Sequence, residues 1–396
     1  MEAARPRGVG HRAGMIDRFQ EEIRLGDSRP VVAIAHDYLT QRGGAERVVL
    51  AMHRAFPEAS VYTTLYDPDG TYPEFRAARI VTSPLNRLRT LRRHHRAALP
   101  LLAPAASALS VPADVVIAST SGWAHGFRTD GRVLAYCHSP ARWLYLAEQY
   151  LGSATRGGVR GAALAALRPH LVRWDRRAAW GADRYLANST VVRARIARVY
   201  GVEADILHPP HSVDVTGTQD PVPGLEDFVG DGGHFLVVSR LLPYKNVDAA
   251  VEAFRGLDER LVVVGRGPLA RAIEAARPSN VRLAGLVTDA QMRWAYASAR
   301  ALVAPSHEDF GITPLEAAAW GKPTIALRAG GYLDTISEGV TGCFIEQPTA
   351  EAIRSAVLAF RDHHWDASAI RRHVGQFSEA RFSERLIAEV RALVRA

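Results

Sequence analysis

Two glutamates, Glu308 and Glu316, stand seven residues apart in the run Glu308-Asp309-Phe310-Gly311-Ile312-Thr313-Pro314-Leu315-Glu316. Thr313 is predicted as a helix N-cap and Pro314 as the first helical residue. The amides near Gly311, Ile312 and Thr313 then form the positive end of a helix, suited to phosphate. Glu308, before the helix, can reach sugar hydroxyls, and Glu316, in its first turn, can reach a ribose. The same Thr313-x-x-Glu316 spacing is also a capping box, in which Glu316 only closes the helix end. Both roles are possible at once if different oxygens serve each.

Two cations precede this run, Arg240 and Lys245 in Ser239-Arg240-Leu241-Leu242-Pro243-Tyr244-Lys245-Asn246. They follow a short apolar run, so they leave the carboxyl edge of a parallel strand. A guanidinium fork and a compact ammonium together suit a diphosphate whose charge grows as a sugar departs. Of the 49 basic residues only Lys245 and Lys322 are lysines. Codon bias in a GC-rich genome accounts for the arginines but not for the position of Lys245. Gly265 and Gly267, in Val264-Gly265-Arg266-Gly267-Pro268, follow another strand and allow close backbone approach. They are not the dinucleotide fingerprint, whose third glycine would fall at Ala270. Lys322, between a helix and a strand, is read as structural, and Gly330, Gly331, Gly339 and Gly342 as turn residues.

These residues need two α/β series to position them. From Val31 the chain alternates short apolar runs with helical patterns: strands at 31–35, 61–65, 115–118, 133–137, 185–188 and 204–207, and a helix at 45–56 after the Gly43-Gly44 turn. Residues 209–233 are rich in Pro, Gly and Asp. A second series follows, with strands at 235–239, 261–265, 281–284, 301–304 and 324–326 and a final helix from about 383 to 394. The fold class predicted is α/β, with two Rossmann-like doubly wound domains facing each other across a cleft that receives ligands at the strands' carboxyl ends. The predicted division is a loosely ordered arm 1–29, an acceptor domain 30–210, a linker 211–233, a donor domain 234–375 and a C-terminal helix 376–396 that packs back on the first domain.

The chain has 396 residues, 47% hydrophobic and 23% charged, which fits two globular domains. No apolar run is long enough for a transmembrane helix. Cys137 and Cys343 are the only cysteines and show neither metal spacing nor a disulfide framework. The arm carries no apolar signal stretch, and Met15 is an alternative start. Cytoplasmic location is the expectation. The net charge of +8 favours an anionic partner.

In order and spacing, Ser-Arg-x-x-x-x-Lys, Gly-x-Gly-Pro and Glu-x7-Glu resemble the retaining GT-B glycosyltransferases of family 4. The first half resembles a mannosyltransferase-like subgroup in His36-Asp37-Tyr38, Gly43-Gly44-Ala45-Glu46-Arg47, Tyr136-Cys137-His138-Ser139-Pro140 and Ala187-Asn188-Ser189. The resemblance implies that Arg240 and Lys245 hold a donor diphosphate, Glu316 the ribose and Glu308 the transferred sugar. It implies donor contacts at Gly43, Gly44, Gly265, Gly267, Val287, Phe310, Gly311, Ile312 and Thr313, and places His138 near the reacting sugar. Asp309 and Asn246 depart from the subgroup's usual residues and leave donor identity open.

The implied reaction moves a sugar, from GDP-mannose or a UDP-sugar, to a hydroxyl of a lipid-linked saccharide, polysaccharide intermediate or specialised metabolite, with retention. No metal cluster is visible, and no cofactor beyond the nucleotide sugar is expected. The stretch holding Arg87, Arg89, Arg92, Arg93 and Arg96 interleaves cations with leucines and predicts peripheral contact with an anionic membrane face. Aromatic positions there are too sparse for single-stranded nucleic acid. Rival readings are a GT-B sugar-nucleotide epimerase and a non-catalytic membrane-binding scaffold.

Overall fold

The computed structural model describes residues 30–93, 98–146, 159–211 and 213–395. The arm 1–29 with Met15, and residues 94–96 of the basic stretch, lie outside the described residues. The chain forms two compact units. The first comprises residues up to 187, 193–207 and those from 382 on; the second comprises 188–192 and 208–381.

In the first unit seven parallel strands run β1 (Val32–His36), β2 (Ser60–Thr63), β3 (Ile80–Thr82), β4 (Val115–Thr120), β5 (Arg132–Cys137), β6 (Arg184–Ala187) and β7 (Asp205–Ile206). Their order in the sheet is β3-β2-β1-β4-β5-β6-β7. Both faces are covered, which is why the strands read as continuous apolar runs. Ile34, Val61, Ile117 and Leu134 face one core with Val48, Val49 and Met52 of α1 (Gly44–Ala55). Ala33, Ala35, Val116 and Ala118 face another.

The second unit holds β8 (His234–Val238), β9 (Leu261–Val264), β10 (Val281–Gly285), β11 (Ala299–Ala304), β12 (Thr324–Leu327) and β13 (Gly342–Ile345), ordered β10-β9-β8-β11-β12-β13. The helices that matter for its site are α2 (Val247–Ala253), α3 (Asp289–Ala297) and α4 (Ile312–Ala319). In each sheet the strand order reverses direction once, between β1 and β4 and between β8 and β11. Loops leaving such a pair diverge and open a crevice at the carboxyl edge.

Two local readings are corrected. Gly342 does not turn the chain: it opens edge strand β13, where it pairs with Thr324 and where a Cβ would lie 2.1 Å from the Thr324 carbonyl. Residues 213–233 are not a bare linker, since Val222, Leu225 and Val229 are buried in the second unit's core. The last helix, α5 (Glu379–Arg395), puts Phe382, Leu386, Ile387, Val390 and Leu393 into the first unit's core beside Ile34 and Met52.

Candidate active site

The loop after β8 carries Arg240 and Lys245. Pro243–Lys245 form one turn of 3-10 helix, closed by Asn246 at φ 52, ψ 31. Asn246 is the only non-glycine residue with positive φ among those described, and asparagine tolerates that region better than most side chains. Its Nδ2 donates to the Pro305 carbonyl at 2.9 Å, tying this loop to the one after β11. Lys245 is thereby buried, and its ammonium pairs with Oε1 of Glu308 while lying 4.9 Å from the centre of the Tyr244 ring. Ser306 Oγ donates to the same Oε1 at 2.8 Å. Both bonds use one carboxylate oxygen, and among the described residues none reaches Oε2. Arg240 is exposed and donates to the Tyr244 hydroxyl at 3.2 Å. One tyrosine therefore touches both cations.

Behind Glu308 lies Tyr332, fully buried, with its hydroxyl 3.2 Å from Ser306 Oγ. Burial, reinforced by the Glu308 charge, holds its phenol well above the ordinary value. Tyr332 also explains Gly311. That glycine has φ 79, and a Cβ there would meet the tyrosine ring at 2.4 Å. Because the chain makes its left-handed step at Gly311, α4 begins at Ile312 with Gly311 as N-cap. The predicted Thr313 cap and Pro314 start are therefore wrong by two residues: Thr313 is the second helical residue and Pro314 the third. The capping box is not formed, as no side-chain bond closes the helix. Glu316 lies a full turn in, where its Oε2 accepts from the Tyr296 hydroxyl of α3 at 2.7 Å. The helix end still presents the Ile312 and Thr313 amides without a side-chain cap, as an anion site requires.

The other predicted residues take simpler places. At Gly265 and Gly267 a Cβ would lie 1.8 and 2.3 Å from the carbonyls of Ser239 and Leu241. Their close approach is to the chain itself, and it seats the Arg240 loop. Val287 is half-buried beyond the carboxyl end of β10. The Phe310 ring is buried, stacked on His208 at 5.6 Å and in contact with Phe377, so only its backbone faces outward chemistry. Ser189 donates to the Asp309 carbonyl, and Thr190 Oγ1 bonds Asp334 at 2.8 Å, which secures residues 188–192 to this unit. A cavity lined by Gly233, Arg300, Lys322 and Trp365 lies at the opposite, amino edge of the sheet, away from these groups.

His138, Gly43 and Gly44 belong to the first unit. His138 follows β5, and its Nε2 is 2.8 Å from Ser119 Oγ at the end of β4. A Cβ on Gly43 would meet Glu46 Oε2 at 2.5 Å, whereas Gly44 has open space. Ser306, Tyr244, Tyr296, Tyr332 and Ser119 have no spacing signal in the sequence and become visible only when the strands are assembled. Among the described residues no cluster of three or more His, Cys, Asp or Glu side chains is arranged to hold a metal.

A profile described as Glycosyltransferase Family 4 matches residues 42–216, and one described as Glycosyl transferases group 1 matches residues 232–362. The chain belongs to glycosyltransferase family 4. Its architecture is the GT-B fold of that family. It aligns over 91% of its length with 99% of the Anabaena HepE chain crystallised with UDP-glucose, at TM-score 0.64 and 17% identity. A D-inositol 3-phosphate glycosyltransferase of Geodermatophilus obscurus is 32% identical over 236 residues, 52% of each protein. A GDP-mannose-dependent alpha-mannosyltransferase of Corynebacterium glutamicum is 34% identical over 148 residues, 37% of this family 4 chain and 34% of the relative. The alignments thus span about half of one relative's length and a third of the other's.

Proposed function

We propose that the protein is a retaining glycosyltransferase taking its sugar from a nucleoside diphosphate. The observation that carries this is the Lys245–Glu308 pair, held between the loops after β8 and β11 beside the N-terminus of α4. A cation, a helix end and a carboxylate with one oxygen unused suit a diphosphate joined to a sugar. In this reading Lys245, Arg240 and the amides of Gly311 and Ile312 receive the diphosphate. Glu308 Oε2 orients the sugar, Glu316 takes the ribose, and His138 is assigned to the reacting sugar.

The bond from the anomeric carbon to the phosphate oxygen breaks, and the acceptor oxygen bonds the same carbon from the same face. The acceptor's proton passes to the departing diphosphate. Positioning and fixed charge supply the catalysis, and no metal takes part. The donor is GDP-mannose or a UDP-sugar; the mannosyltransferase relative supports the first and the UDP-glucose complex the second. The acceptor is a hydroxyl of a lipid-linked saccharide, polysaccharide intermediate or specialised metabolite. Among the described residues no helix is long and apolar enough to cross a membrane. Arg87, Arg89 and Arg93 are exposed beside Leu88, which is also exposed. These four suit peripheral contact with an anionic surface on the cytoplasmic side.

The test is a thermal-shift panel of GDP-, UDP- and dTDP-sugars, followed by product analysis with the stabilising donor. A bound donor raises the melting temperature by mass action. Net transfer of the sugar to an added hydroxyl acceptor supports the proposal. Isomerised nucleotide sugar formed from donor alone would replace it with the epimerase reading.

A further inference from the structure

The first unit contains a buried polar chain that the proposed reaction does not by itself require. It runs Glu46, His36, Ser119, His138 and links α1, β1, β4 and the end of β5. Glu46 is 1% exposed, His36 2% and Ser119 0%. Glu46 Oε1 is 4.0 Å from His36 Nε2 and accepts from Gln41 Nε2 at 3.1 Å. His36 Nδ1 is 3.1 Å from both the carbonyl and the hydroxyl of Ser119. Ser119 Oγ is 2.8 Å from His138 Nε2.

Protons can be assigned along this chain by elimination. A carbonyl only accepts, so His36 Nδ1 carries hydrogen and donates to Ser119. The Ser119 oxygen then accepts from His36, and its own proton needs an acceptor. Among the described contacts the one acceptor within reach is His138 Nε2. A histidine that accepts at Nε2 and is neutral carries its proton on Nδ1.

We infer that Ser119, backed by the His36–Glu46 pair, is a positioning residue that holds His138 neutral in the Nδ1–H form, so that His138 donates a hydrogen bond at the site and is not a general acid or base. The electrostatics agree. Burial alone would push the His36 imidazolium down, but Glu46, with help from Asp37 and the Ser119 carbonyl, outweighs it, and the net shift is upward. The charged and titratable groups facing His36 are Glu46 from α1, Asp37 just after β1 and His138, whose ring centre is 6.4 Å away. When His36 is protonated it disfavours a second charge on His138 and makes the Ser119 hydroxyl a stronger donor. The Tyr136 ring packs edge-on against His138 at 5.2 Å and limits its rotation.

The assignment of His138 to the reacting sugar rests on the function proposed above, but its protonation state can be measured without turnover. The experiment is nitrogen NMR of the histidine rings in the full chain labelled with nitrogen-15, with His138 assigned by loss of its signals in His138→Gln. Wild type should show His138 with a protonated Nδ1 and an accepting Nε2 from pH 6 to 9. Ser119→Ala should move it to the Nε2–H form that free histidine favours and raise its titration midpoint, and Ser119→Thr should restore the wild-type pattern. Glu46→Gln should lower the midpoint of His36. An Nε2–H or doubly protonated His138 in wild type at pH 7 would overturn the inference, whether or not any variant folds. So would a His138 spectrum unchanged in a folded Ser119→Ala. If transfer is found, Ser119→Ala should lower kcat by up to about a hundredfold, with KM for the donor little changed and the wild-type pH profile lost.

Discussion

The two sheets place polar pairs at equivalent points and use them differently. In the second unit Lys245 and Glu308 follow the strands that flank the reversal of strand order. In the first, His36 and Ser119 occupy the ends of the corresponding strands. Lys245 and Glu308 lie on loops, partly open, with an oxygen unused. His36 and Ser119 lie within the strands, sealed, with partners on both sides. A loop pair can meet a ligand, whereas a strand pair can only act through what it touches, here His138. The same topology thus supplies a contact surface in one unit and an internal brace in the other.

The comparison breaks most readily at Glu308. Glu308→Gln should reduce transfer by on the order of a hundred- to a thousandfold while the melting temperature stays near wild type. Glu308→Ala should also lower the melting temperature, because Lys245 and Ser306 then lose the hydrogen-bond acceptor that glutamine still supplies. Ser119→Ala should cost less in transfer than Glu308→Gln, and an equal loss would erase the distinction between contact and brace.

The two units should also differ in their response to pH. His234, fully buried at the start of β8, is pushed down to about 4, first by burial and then by the charge of Lys322. The unfolded chain binds this proton near pH 6.5 and the folded chain does not, so stability falls as pH drops through that window. The loss approaches roughly 3 kcal/mol near pH 4. Urea midpoints at pH 7, 5 and 4 should show it in wild type and not in His234→Phe. His36 has the opposite sign. Its raised value gives stability that is complete below about pH 6.5 and is lost as pH rises through the folded value. His36→Gln should therefore flatten the alkaline limb.

A smaller effect is expected at Asn246. Asn246→Arg puts a side chain that disfavours positive φ at φ 52 and removes the bond to Pro305. It should cost about 1–2 kcal/mol, read as a few degrees in melting temperature, and raise KM for the donor by loosening Lys245. The smallest effect is on surface charge. Neutralising Arg87, Arg89 and Arg93 should reduce flotation with anionic vesicles while leaving turnover on a soluble acceptor unchanged, and unaltered flotation would discard the membrane contact.

How much of this the sequence announced follows from the same contrast. The residues proposed for the donor lie in two compact motifs, each carried by one loop and its helix, so Lys245, Glu308 and Glu316 stand out from spacing alone. The capping box at Thr313 misled, because Gly311 turns the chain two residues earlier to clear Tyr332. The brace is scattered over positions 36, 46, 119 and 138, and only parallel pairing brings them together. His36-Asp37 and Glu46 are visible as motif residues but carry no hint of their partners. Most strands were legible because both faces of each sheet are buried. β3 has three half-buried residues and β13 opens on a glycine, so neither edge strand has an apolar run to give it away.

The return of α5 to the first unit has a consequence for biosynthesis. A ribosome completes β7 at Ile206 but does not reach Phe382 until about 175 residues later, roughly 10 to 35 s at ordinary elongation rates. Throughout that interval the nascent first sheet lacks Phe382, Leu386, Ile387, Val390 and Leu393, and the apolar face they cover waits uncovered. The second unit, whose residues are all made before Phe382, is the one placed to mature first. The amino-terminal half of the polypeptide is therefore the part most in need of a chaperone.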